Sequence, residues 1–163
     1  MTTFIQAKDQ KSFELIARLA STIWKEHYTP IIGTDQVAYM LNKFQSAEAI
    51  AAQVKKGIQY YLIFYLSKPA GYLAFEKQGE ELFLSKIYVS KDLRGKGIGK
   101  AAMDFILREG RFMECKQISL TVNKHNTGSI KAYEKLGFQN LGSIVQDIGK
   151  GFVMDDFLLI KPL

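Results

Sequence analysis

The stretch Arg94-Gly95-Lys96-Gly97-Ile98-Gly99 joins two segments of different character. Residues 82–89 before it are mostly apolar, β-branched or aromatic, which predicts a strand. Glycines at a strand-to-helix junction let backbone N–H groups turn toward one point, and a helix N-terminus adds unpaired N–H groups and a partial positive charge. The stretch therefore predicts an anion site. The helix after it is predicted from apolar residues on one face, namely Ile98, Ala101, Ala102, Phe105 and Phe112.

Two common phosphate-binding motifs do not fit this junction. A P-loop needs Ser or Thr after its Gly-Lys pair, but Ala101 follows Gly99-Lys100, and Leu93-Arg94 stand where its first Gly belongs. The dinucleotide-binding pattern Gly-x-Gly-x-x-Gly needs Gly at position 100, which is Lys. The remaining pattern is Arg-x-x-Gly-x-Gly, in which Arg94 and Lys96 or Lys100 can add charge-assisted hydrogen bonds to phosphate oxygens.

The first third of the chain predicts one short strand and three helices. The strand opens at Phe4-Ile5, and apolar residues at a spacing of three and four follow it. The helix boundaries are marked by small, polar or conformationally special residues: Asp9, Thr34 and Ser46 as N-caps, Pro30 and Gly33 as breaks, and Gly57 as the final stop.

The sequence after Gly57 predicts mainly strands. Residues 60–66, 72–76 and 82–89 form three strands with turns at Lys68-Pro69 and Gly79-Glu80, as in an antiparallel meander. Residues 117–122 alternate as a strand, a helix begins at Asn126 and ends at Gly137, and residues 141–147 and 152–160 form a final strand pair. The order predicts a single α+β domain, residues 1–163, with one mixed, mostly antiparallel sheet of about seven strands and a central β-α-β crossover.

Composition and charge narrow the function classes. The chain is 47% hydrophobic and 23% charged, as in ordinary globular domains. No apolar run is long enough to span a membrane, and Met1 to Ile5 show no signal pattern, so a cytoplasmic protein without membrane association is expected. Cys115 is the single cysteine and has no His at a useful spacing, so neither a disulfide nor a metal site is expected. The net charge of +6 is concentrated between Lys86 and Lys100, which favours a small anionic ligand over nucleic acid.

Two motifs at a set separation resemble the GNAT superfamily of N-acetyltransferases. The likeness is specific from Leu82 to Phe138, and the flanking elements agree with the family in order. It is carried by the runs Lys86-Ile87-Tyr88-Val89, Arg94 to Gly99, Asn123-Lys124-His125-Asn126 and Ala132-Tyr133-Glu134-Lys135-Leu136-Gly137-Phe138. The resemblance implies a GNAT-like α/β/α domain that uses acetyl-CoA and transfers the acetyl group directly to a primary amine. Family members are often dimers, so it also suggests a homodimer.

The resemblance implies which residues hold the cofactor. Backbone amides of residues 94–100 bind its pyrophosphate, and the main chain of Ile87, Tyr88 and Val89 pairs with pantetheine like an added strand. A backbone N–H of that segment polarises the thioester carbonyl and stabilises the oxyanion. Asn126 corresponds to the family's helix-start Asn, which contacts the cofactor, and a plain N-cap role is compatible with that.

Tyr133 corresponds to the tyrosine that many family members place beside the sulfur of coenzyme A. A phenol can protonate the leaving thiolate as a general acid. The alternative is a core tyrosine, since Tyr133 is at helical spacing from Ile130 and Leu136.

A general base is missing from its usual place. Many relatives in the GNAT family carry a carboxylate on the strand before the glycine-rich junction, where this chain has Leu84, Ser85 and Lys86. Asp155 and Asp156 lie in an apolar strand, so alternation predicts that one of them points inward and receives a cationic amine or relays its proton; edge exposure is the alternative. The acceptor-side candidates are His27, Tyr28, Asn123 and Asp156.

Three functions remain in competition. The leading one is an N-acetyltransferase that acts on a small-molecule amine such as a polyamine or an amino compound. The second is a non-catalytic module of the same fold that binds or senses acyl-CoA, for which the missing carboxylate argues. The third, a basic nucleic-acid-binding domain, rests on net charge alone and lacks interleaved aromatic and basic residues.

Overall fold

The computed structural model describes all 163 residues, Met1–Leu163, and its elements follow the predicted order. The helices are α1 Gln10–Ile32, α2 Thr34–Gln45, α3 Ala47–Lys55, α4 Ile98–Phe112 and α5 Thr127–Lys135. The strands are β1 Thr2–Gln6, β2 Gln59–Tyr65, β3 Lys68–Gln78, β4 Glu81–Val89, β5 Gln117–Asn123, β6 Gln139–Gly149 and β7 Phe152–Pro162. None of the helices is both long and apolar enough to cross a membrane.

The strands form one seven-stranded sheet in the order β1-β2-β3-β4-β5-β7-β6. The pairs β1–β2, β2–β3, β5–β7 and β6–β7 are antiparallel, whereas β4 and β5 are parallel. A parallel pair needs a crossover connection, and α4 supplies it. The predicted α+β class, the mixed sheet and the β-α-β unit are therefore confirmed.

The chain forms two compact units. The first consists of Met1–Glu76 and Lys86–Ile106, and the second of Lys77–Ser85 and Leu107–Leu163. In the first unit, Asp9 caps α1 by accepting a hydrogen bond from the Ser12 N–H at 2.9 Å, and Ser46 caps α3 by accepting one from the Ala49 N–H at 3.1 Å, as predicted. The buried face of α1 is Phe13, Ile16, Ala20, Ile23 and Trp24.

A buried polar network joins α2 and α3 to β2 and β3 within the first unit. The Tyr72 hydroxyl donates to Gln45 Oε1 at 2.6 Å, and the Tyr60 hydroxyl donates to Gln53 Oε1 at the same distance. The Gln45 side-chain amide donates to the Tyr60 hydroxyl at 3.0 Å. Each buried hydroxyl thus has a partner, which offsets the cost of removing it from water.

Three boundary predictions in the first unit are wrong. Helix α1 continues through Pro30 to Ile32, because a proline in a helix removes one hydrogen bond without preventing further turns. Gly33, at φ +87°, separates the helices and is the N-cap of α2 in place of Thr34. The turn after β2 is at Leu66-Ser67 rather than Lys68-Pro69: both residues have positive φ, as a two-residue hairpin requires, and β3 already begins at Lys68.

In the second unit the predicted apolar side of β5 is buried, namely Ile118, Leu120 and Val122. Phe112 was predicted on the apolar face of α4, but it is 83% exposed. Buried Gly110 holds the last core position of that helix, and a residue two positions further points about 200° around the axis. A Cβ at Gly110 would lie 2.8 Å from the end of the Leu163 side chain, so a larger residue there would require Leu163 to shift.

Candidate functional site

The glycine-rich junction folds as the sequence predicts. A single 3₁₀ turn at Lys91–Leu93 follows β4, Arg94 is extended, and α4 begins at Ile98. Gly95 and Gly97 both have φ +78°, a conformation that side chains with a Cβ rarely adopt. The Gly97 carbonyl accepts the first hydrogen bond of α4 from the Ala101 N–H at 3.0 Å. The N–H groups of the first helical turn are thereby left for a ligand.

An open pocket of about 180 Å³ lies at this junction. Its floor is fixed by Ile98, whose side chain is buried, while Arg94, Lys96 and Lys100 are exposed. Backbone N–H groups, a helix N-terminus and Arg94 in the lining form a donor set suited to a pyrophosphate, and Lys96 and Lys100 are exposed in the same stretch. The pocket is lined by Val89, Leu93, Arg94, Gly95, Gly97, Ile98 and Gly99.

The end of β4 is held by close backbone contacts with β3. The Ser90 N–H donates to the Ala70 carbonyl at 2.8 Å. A Cβ on Gly71 would lie 2.0 Å from the Tyr88 carbonyl oxygen, so only glycine allows this approach. The pairs between β4 and β5 run from Glu81 to Phe83 only, although β4 itself continues to Val89.

An aromatic cluster surrounds Tyr88, and we define it as Trp24, His27, Tyr28, Tyr72 and Tyr88. The Tyr28 and Tyr88 hydroxyls lie 3.1 Å apart and share a hydrogen bond. The Tyr88 ring contacts Trp24 at 5.7 Å and Tyr72 at 5.4 Å between centroids, and His27 lies edge-on to Tyr28 at 4.8 Å. The predicted acceptor-side residues His27 and Tyr28 are therefore grouped with Tyr88 of β4, and both are half-buried.

Lys86 is a candidate site residue that the sequence reasoning missed. It lies on β4 one position before Ile87. The residue keeps some solvent contact, but burial of its ammonium group lowers the pKa to about 8, while the Glu76 carboxylate opposes this by raising it. The signal was a lysine between Leu84 and Tyr88 in a mostly apolar strand.

In the second unit, Tyr133 lies on α5 and is half-buried, with its ring edge-on to Phe138 at 5.5 Å. Helix α5 has no buried residue, so Tyr133 is not a core tyrosine. Asn126 is the N-cap residue of α5 and is 7% exposed, but its side chain makes no capping hydrogen bond. The Asn123 side-chain oxygen accepts from the His125 N–H at 2.9 Å and so supports the turn into α5.

The two terminal-strand aspartates point to opposite faces, as alternation predicts. Asp156 is 4% exposed, whereas the Asp155 carboxylate forms an ion pair with Lys124 at 2.7 Å. Burial raises the pKa of Asp156 to about 6, with a further rise from Asp155; a hydrogen bond from Thr121 and the charge of Lys124 oppose it. A carboxyl group with this pKa can bind a cation or exchange a proton near neutral pH.

Several other polar groups have ordinary structural explanations. Glu80 pairs with Lys116 at 3.2 Å, and both side chains are more than two-thirds exposed. Cys115 is buried and unbridged. No group of three or more His, Cys, Asp or Glu side chains is arranged to hold a metal ion.

Comparisons with known proteins agree with this arrangement. Residues 18–138 match the model of the acetyltransferase (GNAT) family. An uncharacterized N-acetyltransferase in the pepI 3' region of Lactobacillus delbrueckii subsp. lactis is 26% identical over 170 aligned positions, covering 98% of this chain and 95% of the relative. The spermine/spermidine N(1)-acetyltransferase of Bacillus subtilis is 24% identical over 70 residues, which are 42% of this chain and 46% of that protein.

The matches to the first curated relatives span less than half of those proteins' lengths. The fold is shared over the whole chain with the PaiA N-acetyltransferase of Thermoplasma acidophilum, solved in complex with coenzyme A. That structure is 18% identical, has a TM-score of 0.83, and is matched over 100% of this chain and 99% of its own. The family model matches residues 18–138, which are most of this chain. The chain therefore belongs to the GNAT family of acetyltransferases.

Proposed function

We propose that residues 1–163 act as one acetyltransferase domain that transfers the acetyl group of acetyl-CoA directly to a small primary amine. The observation that carries the proposal is the glycine-rich junction at the start of α4. Its positive-φ glycines, first-turn N–H groups and exposed cations form an anion site in a chain of this family. When bound, acetyl-CoA supplies an activated thioester.

The residues of the first unit that would hold the cofactor are contiguous. Backbone amides of residues 94–100 bind the pyrophosphate, with Arg94 and Lys96 or Lys100 adding charge. The main chain of Ile87, Tyr88 and Val89 binds pantetheine as an added strand. The end of the β4–β5 pairs at Phe83 supports that role, because residues 87–89 lie beyond the last of these pairs. A backbone N–H of this segment stabilises the oxyanion.

Residues of the second unit supply acid chemistry and part of the acceptor recognition. The Tyr133 hydroxyl donates a proton to the leaving thiolate. Its half-buried position outside the core supports this role over a packing role. Asn126 contacts the cofactor, and Asn123 lies on the acceptor side. The Asp156 carboxylate receives the cationic amine, because a buried carboxylate binds an ammonium group more strongly than an exposed one.

The acceptor is, in our proposal, a small amine such as a polyamine or an amino compound. A relative that is 24% identical over part of its length is named a spermine/spermidine acetyltransferase. In the first unit, the half-buried His27 and Tyr28 present aromatic rings, which attract cations. We expect the active form to be a homodimer.

A non-catalytic acyl-CoA-binding module is the second candidate. The observation that favours it is the absence of a carboxylate in the middle of β4, where Leu84, Ser85 and Lys86 stand. Thiol release separates the two candidates: a sensor binds acetyl-CoA but releases no coenzyme A when amines are added.

Isothermal titration with acetyl-CoA tests the core of the proposal. Wild type should bind, and Gly97→Glu should not, because it places a carboxylate and a strained φ in the anion site. Gly79→Glu is the matched control, since Gly79 also has positive φ and open space around it but lies in the β3–β4 turn. Absence of binding by wild type, or equal binding by Gly97→Glu, contradicts the proposal.

A second measurement addresses the reaction. Thiol release from acetyl-CoA is followed with spermine, spermidine, putrescine and single amino compounds as acceptors. Release that depends on one of these amines supports the transferase, and binding without release by any of them supports the sensing module.

A further inference from the structure

One face of β5, β7 and β6, which all lie in the second unit, carries a buried carboxyl group. Asp156 of β7 is paired with Asn123 of β5 on one side and with Ile144 of β6 on the other. Both registers are regular at these positions, so the three side chains project from the same face. Thr121 shares that face, because its side chain forms a hydrogen bond with the Asp156 carboxyl group.

Lys124 lies on the opposite face of β7. Its ammonium nitrogen is 2.7 Å from the Asp155 carboxylate and 5.7 Å from the centroid of the Phe157 ring. Asp155 and Phe157 flank Asp156 in the sequence, so their side chains alternate with that of Asp156. Asp156 itself forms no ion pair, and the Thr121 hydroxyl is the hydrogen-bond partner of its carboxyl group. Because buried carboxylates are usually paired with a cation, this one is suited to a cation from outside the chain.

The carboxyl group lies among aliphatic side chains. Met154 and Leu158 are two positions before and after Asp156 on β7, and Ile144 is its partner on β6. These three residues and Thr121 are half-buried, whereas Asp156 is 4% exposed. The face therefore has a polar floor and an apolar rim that solvent still reaches. An organic cation with methylene groups matches these surroundings better than a metal ion, because no group of three or more His, Cys, Asp or Glu side chains is arranged to hold one.

We propose that this face binds the acceptor as an aliphatic primary ammonium group, and that Thr121 helps to select it. The inference rests on the proposed transferase function and gives the chemical class of its acceptor. The Asp156 carboxylate and the Thr121 hydroxyl oxygen accept N–H groups of the ammonium, because both keep unused lone pairs after their mutual hydrogen bond. The methylene groups next to the nitrogen contact Ile144, Met154 and Leu158. A quaternary ammonium ion has the same charge but no N–H, so it leaves both acceptors unsatisfied.

The first experiment measures binding without turnover, by carbon-13 NMR of the side-chain carboxyl groups of the aspartate-labelled chain in the presence of coenzyme A. Asp156→Asn identifies the Asp156 signal, whose titration midpoint should be about 6. Saturating butylammonium should lower that midpoint by about one pH unit, because a bound cation favours the carboxylate. Butyltrimethylammonium at the same concentration should leave it unchanged. Methylammonium should bind at least about 4-fold more weakly than butylammonium, which is the factor for one buried methylene group.

The Thr121 hydroxyl is tested with the same signal. Thr121→Val keeps the size of the side chain and should raise the Asp156 midpoint above the wild-type value, because the Thr121 hydrogen bond lowers it. It should also weaken butylammonium binding by about 10-fold or more. Thr121→Ser should restore both values. Ser143→Ala, which removes an exposed hydroxyl opposite Phe157 on the other face, is the matched control.

Steady-state thiol release from acetyl-CoA with putrescine links the site to the reaction. Asp156→Asn should raise the KM for putrescine by about 10²–10³-fold and leave the acetyl-CoA Kd unchanged. Asp155→Asn is the matched control, because it removes the neighbouring carboxylate on the opposite face, which is paired with Lys124. It should change the KM for putrescine by less than about 3-fold.

The outcomes separate the two proposals. If no amine causes thiol release but butylammonium lowers the Asp156 midpoint, the transferase proposal fails and the ammonium site stands. If thiol release depends on an amine, the transferase stands, and the ammonium site is wrong in any of three cases: the midpoint does not move, the quaternary ion moves it equally, or Thr121→Val binds butylammonium as wild type does. If there is neither thiol release nor movement of the midpoint, both proposals fail.

Discussion

Replacing Asp156 with asparagine should make the protein more stable at neutral and alkaline pH. The carboxyl group is buried in β7, and its pKa is raised from 3.8 to about 6. Between these two values the folded chain holds more protons than the unfolded chain, so stability decreases there as the pH rises. Below about pH 4 both states are protonated and the penalty vanishes; above about pH 6 it is fully present.

The size of the effect follows from the same pKa. The rise corresponds to at most about 3 kcal/mol of lost stability at pH 8. The Thr121 hydrogen bond and the Lys124 charge already act on the carboxylate within that figure. Allowing for residual solvent screening, we expect Asp156→Asn to raise the free energy of unfolding by about 1–2 kcal/mol at this pH.

Urea unfolding at a series of pH values from about 4 to about 8 measures this. Wild type and Asp156→Asn should be equally stable at the acidic end and diverge as the pH rises. Asp155→Asn is the matched control: it loses an ion pair to Lys124 at a partly exposed position and should be no more stable than wild type at any pH. Parallel curves for wild type and Asp156→Asn would refute the buried, proton-binding carboxyl group.

Three further substitutions test separate contacts. Tyr133→Phe should lower kcat with little change in acetyl-CoA affinity, and an unchanged thiol-release rate removes Tyr133 from the acid role. Gly71→Ala places a Cβ 2.0 Å from a carbonyl oxygen of β4 and should cost about 1–3 kcal/mol in urea unfolding, whereas Gly128→Ala, in open space on α5, should not destabilise; equal effects contradict this. Tyr72→Phe leaves Gln45 Oε1 without its donor and should cost about 1–3 kcal/mol; a neutral result means that the network does not contribute.

Element order could be predicted because each element carries its own periodic pattern. The alternation of β5 and the three-and-four spacing of α1 are local properties, and the structure buries the residues that these patterns select. The wrong predictions are those in which a single residue type was taken to mark the end of a helix or the position of a turn. Pro30 is accommodated inside α1, and Leu66-Ser67 forms a positive-φ turn without the Gly, Asn or Asp usual at such positions. In both cases the residue type at one position does not by itself determine the local conformation.

The site was partly predictable for the same reason. The sequence signal of the glycine-rich junction is local, because the glycines that allow its backbone conformation lie within six consecutive residues. The structure folds this junction as predicted. The inward aspartate was also predictable from alternation. Lys86 was not, because its altered basicity comes from packing and from Glu76 on another strand, ten positions earlier in the sequence.

The basic stretch from Lys86 to Lys100 shows why a charge cluster alone does not define a site. Its lysine and arginine side chains cannot be distinguished from the sequence by their charge, but the structure gives them different environments. Arg94, Lys96 and Lys100 are exposed around positive-φ glycines and suit a polyanion. Burial lowers the pKa of Lys86 to about 8, and a group that loses its charge so readily is a poor anchor for phosphate. Burial thus distinguishes residues of one basic stretch in which the residue type is almost the same throughout.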